Sequence, residues 1–112
     1  MPPIVQFAAL GDETRCRVLE LLRERSRPVH ELAAEFEISR PAISRHLRVL
    51  KEAGLVREEK HGRENIYAFE AGEIATLDRW LAGLRPSRAE RLKGRALNPP
   101  PEAVVDLFGF AG

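Results

Sequence analysis

The sequence predicts a mainly α-helical domain with one small β-hairpin. Three observations carry this. Residues 39–51, SRPAISRHLRVLK, put Ile43, Leu47 and Leu50 at i, i+4 and i+7, the spacing of a single helical stripe. A shorter helical pattern at 29–36, VHELAAEF, precedes it across only Glu37-Ile38-Ser39, and two short helices so joined make a helix-turn-helix. After Gly54 the pattern changes to two strand-like runs, 55–60 and 65–69, flanking the Gly-containing connection 61–64. That is the pattern of a hairpin, and a hairpin beside a helix-turn-helix is a wing, so the expected architecture is a winged helix-turn-helix.

Composition sets the class. At 112 residues the chain suffices for one modest core. Its 44% hydrophobic and 31% charged content fits a globular protein rather than a disordered one. The net charge is only +1, yet from Ser39 to Arg63 seven basic residues face three acidic ones, leaving +4 there and −3 elsewhere. One cysteine, Cys16, excludes an intramolecular disulfide framework and a cysteine-rich zinc site. No apolar run approaches the ~20 residues of a membrane span, and the N-terminal MPPIVQFAAL lacks the charged start of a secretory signal. A cytoplasmic location and no membrane partner are therefore expected.

In chain order, residues 4–10 form a short helix after two prolines, with Phe7 and Leu10 inward. Gly11 interrupts it. Asp12 offers an N-cap for a second helix running from Glu13 to about Arg25. Val18, Leu19, Leu21 and Leu22 supply its buried side; Arg15, Arg17, Glu20, Arg23 and Glu24 supply a wet one. Cys16 is expected to be a small, half-buried filler. Ser26-Arg27-Pro28 reads as a turn. Leu32, Ala33 and Phe36 face inward from the helix that follows, and Ile38 is expected to plug the core.

Ser39 is a good N-cap for the central helix, and Pro41 fits its first turn, where a missing N–H costs nothing. With Ile43, Leu47 and Leu50 inward, Arg40, Ala42, Ser44, Arg45 and Arg48 fall outward. Small residues allow close backbone approach, serine can donate to phosphates, and arginine reaches guanine edges or phosphates. The candidate DNA-binding set is therefore Ser39, Arg40, Pro41, Ala42, Ser44, Arg45 and Arg48, joined by Lys60, His61 and Arg63 at the wing tip. Gly54 closes the helix as a residue able to take positive φ.

Residues 72–84 predict a further helix with Ile74, Leu77, Leu81 and Leu84 on one side and Trp80 beside them. One small domain needs only part of that surface. Ile4, Phe7, Ile74, Leu77, Trp80, Leu81 and Leu84 are the candidate dimer interface. Residues 1–85 thus form the DNA-binding and dimerisation domain. Residues 86–112 form an extension in which Ser87 can cap a short basic helix, followed by the stiff run Asn98-Pro99-Pro100-Pro101 and an apolar tail.

The motifs FAALGDETRCRVLELL, VHELAAEFEISRPAISRHLRVLKEAGLV and GRENIYAF closely resemble the ArsR-type winged-helix repressors, over about residues 4–85. The resemblance implies a homodimer on double-stranded DNA, at an operator palindrome, in a family where many members release DNA on binding a metal or after a thiol change. The family's Cys-x-Cys metal site would fall at Pro28 and His30, which are not thiols, and residues 72–85 contain no histidine for the other common site. His30, His46 and His61 are scattered. No metal and no cofactor are therefore expected, as in the metal-independent members, some of them autorepressors. No small-molecule effector is assigned. The alternatives are a thiol-responsive repressor using Cys16 between subunits, or a winged-helix module for protein contacts, against which the outward arginines argue. No paired acid and base, partnered nucleophile, phosphate loop or metal cluster suggests an enzyme, and no catalytic residue is assigned.

Overall fold

A computed structural model describes residues 1–92, which divide into two units after Leu81. The first opens with α1 (Ile4–Leu10), directly after Pro2 and Pro3; it buries Ala9 and closes with the Gly11 N–H on the Ala8 carbonyl. The α2 helix (Glu13–Glu24) starts at Asp12, whose carboxylate accepts from the Arg15 backbone N–H at 3.0 Å. Such a cap stabilises a helix by about 1 kcal/mol. Val18, Leu19, Leu21 and Leu22 of α2 form one wall of the core. Leu32 of α3 (Val29–Ala33), then Ile43, Leu47 and Leu50 of α4 (Arg40–Glu52), form the other, and Ala53, Leu55 and Val56 continue it. The α5 helix (Gly72–Ala82) adds Ile74 against this cluster.

The hairpin pairs β2 (Val56–His61) with β3 (Glu64–Phe69), Val56 opposite Phe69 and His61 opposite Glu64. Its connection is tighter than the four residues expected. Only Gly62 and Arg63 lie between the strands, with Gly62 at φ +64° and no other residue type at positive φ among the described residues. Positive φ at the first turn position alone is the type II′ pattern, whose twist matches the strands.

Three further expectations are corrected. Residues 27 and 28 are not simply a turn but a two-residue strand, β1 (Arg27–Pro28), antiparallel to β3 in a sheet ordered β1-β3-β2. Proline fits there because an edge strand tolerates a missing N–H, and it biases Arg27 to extended backbone. Arg27 is only 7% exposed, its Nε donating to the Leu21 carbonyl at 3.3 Å. The α3 helix ends at Ala33 rather than Phe36, because the bonding tightens to i→i+3 at Glu35 and Phe36. Ile38 is 40% exposed; from this connection Phe36 reaches the core instead. In the second unit, α6 (Arg88–Leu92) is capped reciprocally by Ser87 and Glu90, at 3.1 and 3.0 Å. The proline run and the apolar tail lie outside the described residues.

Gly54 ends α4 at φ +76°, and a Cβ there would sit 2.8 Å from the Glu73 Cγ. Gly54→Ala should lower stability by about 1–2 kcal/mol, the cost of left-handed backbone for an L-residue. Urea denaturation should show most of that loss persisting in a Glu73→Ala background. Full recovery there would place the cost in the side-chain contact instead.

Candidate nucleic-acid interface

The outward face of α4 is set by what α4 buries. Ile43, Leu47 and Leu50 are fully enclosed, so Arg40, Ser44, Arg45 and Arg48 are exposed and Ala42 is half-buried. Ser39 holds extended backbone, φ −67° and ψ 154°, and its Oγ accepts from the Ala42 N–H at 3.2 Å. Pro41 lies in the first turn and is exposed. The expectation missed Val49, which also opens to solvent. Its position four residues after Arg45 was the available signal, and a methyl-bearing side chain there suits contact with a thymine methyl.

His46 faces inward. Its Nδ1 lies 3.2 Å from Arg15 Nη1 and 3.8 Å from Asp12 Oδ2. Arg15 also donates from Nε to the Ala9 carbonyl at 2.7 Å and from Nη2 to the Ala8 carbonyl at 3.2 Å. Arg15 is therefore not a wet-face residue, as its helical position suggested, but a half-buried tie from α1 to α4. Gln6 makes a second tie, its amide donating to the Ala53 carbonyl at 3.2 Å. The Arg15 backbone N–H holds the Asp12 carboxyl below its usual range, with the charges of His46 and Arg15 adding to that pull.

Ion pairing sorts the basic residues of 39–63 into two groups. Lys51 is bound to Glu58 at 2.9 Å, and Arg57 to Glu59 at 2.7 Å and to Glu70. The Lys51 ammonium, helped by Tyr67 and Asn65, holds the Glu58 carboxyl below its ordinary value; Arg57, helped by His61, does the same to Glu59. Among the described residues Arg40, Arg45, Arg48, Lys60 and Arg63 have no carboxylate partner. These five are the unneutralised cations of the α4 face and the wing. His61, also exposed, leans on Glu59 at 3.2 Å.

Arg40 and Arg63, from α4 and the wing tip, line one open cleft of about 210 Å³ together with His30, Glu64 and Asn65. His30 Nδ1 is 3.6 Å from Glu64 Oε1. Pro28 lies in β1, and Cys16 directs its S–H at the Leu10 carbonyl, 3.1 Å away. Pro28 and His30 supply no thiolate. Among the described residues no three His, Cys, Asp or Glu side chains converge as metal ligands.

The candidate interface residues divide. Phe7 and Trp80 stack edge to face within the chain, ring centres 5.4 Å apart and planes at 71°. Ile74 packs on the core, and Leu77 is only 5% exposed. Leu77 is thus a core residue of its own chain and not free for a partner. Ile4 (63%) and Leu81 (45%) are exposed, as is Val5, which the expectation omitted. Leu84 belongs to the second unit and is exposed.

Residues 12–58 match the family described as "Bacterial regulatory protein, arsR family". The chain is 38% identical over 97 residues to the arsenic resistance transcriptional regulator ArsR1 of Pseudomonas putida, covering 86% of this chain and 75% of that protein. It is 31% identical over 75 residues to the transcriptional repressor SdpR of Bacillus subtilis, covering 67% of this chain and 83% of the repressor. Its fold is similar to the homodimeric winged helix-turn-helix DNA-binding domain of Mb0332 from Mycobacterium bovis, with a TM-score of 0.58 and 27% identity over 82% of each chain. These relatives are transcriptional regulators, not enzymes. No helix among the described residues is long and apolar enough to cross a membrane.

Removing a matched pair together, Lys51→Ala with Glu58→Ala, should leave both the affinity for duplex DNA and its salt dependence nearly unchanged, since the net charge there does not change. Arg48→Ala should weaken binding and reduce the slope of log K against log salt by about 1, as expected on losing one phosphate contact. Anisotropy titrations at several salt concentrations separate the two outcomes.

Proposed function

The chain belongs to the ArsR family of DNA-binding transcriptional regulators, and from that premise we propose that it is a repressor acting as a homodimer on a palindromic operator, without the family's cysteine-based metal site. The observation that carries this is the outward face of α4. Arg40, Arg45 and Arg48 are exposed and free of carboxylate partners among the described residues, while Ile43, Leu47 and Leu50 anchor the opposite side. Laid in a major groove, Arg45 and Arg48 read base edges or phosphates, Ser39 and Ser44 contact the backbone, and Lys60, His61 and Arg63 follow the strand towards the next groove. A bound dimer then obstructs transcription by occupying the operator.

One copy reads only a few base pairs, too little discrimination in a genome. Two copies on a two-fold axis present α4 to successive major grooves about 34 Å apart. The exposed Ile4, Val5 and Leu81 support such a pairing, since they lie on the helices that Phe7 and Trp80 bring together. The repressor role is supported by the similarity to SdpR, and the homodimer by the similarity to the M. bovis domain. Selection from a random DNA pool tests the whole reading: the recovered sites should be inverted repeats with centres about 10 base pairs apart. Tight binding of a single asymmetric half-site by one copy would sink it.

Val5→Glu and Leu81→Glu should yield monomers by sedimentation, with helical content kept and operator affinity lost. Leu77→Glu should instead unfold the chain, because it buries a charge in its own core. A second expectation concerns sensing. Zinc, cadmium and arsenite should leave operator affinity unchanged, since Pro28 and His30 replace the thiolates and Cys16 is the chain's one cysteine. Stoichiometric metal binding that releases DNA would refute this.

A further inference from the structure

We infer that the cleft between the start of α4 and the wing tip is a phosphate clamp, holding one backbone phosphodiester of DNA between Arg40 and Arg63. This rests on the DNA-binding reading above and goes beyond it, by assigning two separate elements to one phosphate.

The constraint comes from the duplex. A major groove and its neighbouring minor groove are separated by a single sugar-phosphate strand. A protein that sets a helix in the first and a wing towards the second must pass that strand through the gap between helix and wing. In this chain the gap is the 210 Å³ cleft. A water molecule's share of liquid is about 30 Å³, so a phosphate group fits with several waters. Arg40 faces it from the first turn of α4, and Arg63 from the second residue of the II′ turn. Both side chains are exposed and lack a carboxylate partner among the described residues. A guanidinium presents parallel N–H groups that match phosphate oxygens, so two of them can grip one phosphodiester from opposite sides.

The cleft also holds one carboxylate, that of Glu64, 3.6 Å from His30 Nδ1. Its negative charge opposes the phosphate, so the clamp carries a built-in brake. Its removal should act in the direction opposite to removal of either arginine.

The test uses the full chain and a duplex recovered from the random pool, remade as a series with one methylphosphonate in place of one phosphodiester each. For the wild-type chain one position per half-site should weaken binding by about tenfold or more, the size of a lost charge-assisted contact. Arg40→Ala and Arg63→Ala should each bind the unmodified duplex more weakly and should each become insensitive at that same position. The double variant should lose less than the product of the two single losses, and Glu64→Gln should tighten binding severalfold. Insensitivity at two different positions, or wild-type sensitivity in either variant, would overturn the clamp while leaving DNA binding intact. Competition by inorganic phosphate at submillimolar concentration would also overturn it, by assigning the cleft to a free phosphorylated ligand. Recovery of no duplex would remove the DNA-binding reading itself, and the clamp with it.

Discussion

The outward basic surface of α4 depends on one packing constraint, the burial of Ile43, Leu47 and Leu50 on a single stripe of that helix. A helix has only one rotational setting in which these three positions are all enclosed. That setting decides which side chains meet solvent, so the apolar residues choose the arginines' direction without touching them. The core beneath is assembled from α2, α3 and the residues that follow α4, and much of it comes from within 40 residues of chain. The first strand of the wing starts at Val56, itself a core residue, so wing and helix are anchored in one cluster.

The parts of this architecture that depend on near neighbours were legible in the sequence. The Asp12 and Ser39 caps, the α2 and α4 stripes, the stop at Gly54 and the hairpin all follow from local periodicity and turn chemistry. What was not legible depends on distant partners. A strand of two residues carries no period of its own, and β1 exists because Tyr67 and Ile66 lie opposite it. Arg15 has the helical position of a surface residue, and only the carbonyls of Ala8 and Ala9 and the ring of His46 turn it inward. Leu77 carried the same signal as Leu81, yet one is buried and the other exposed. An apolar stripe tells how much surface a helix must cover, not which copy of the chain covers it.

Charge adds a second kind of selection. Seven cations in the central stretch look equivalent in sequence, but Lys51 and Arg57 are consumed by Glu58, Glu59 and Glu70. These pairs are exposed and contribute little to stability. Their effect is to trim the positive field to the outer face of α4 and the end of the hairpin. Counting basic residues overstates the footprint on a polyanion; counting unmatched ones outlines it.

The two ties from α1 to α4 have a mechanical consequence. Arg15 joins the last carbonyls of α1 to His46, and Gln6 joins α1 to Ala53, about two helical turns further along. A rod pinned at one point can pivot; pinned at two, it can only travel with its support. α4 is thus held to α1 at two places, which restricts pivoting of the arginine-bearing helix about either one.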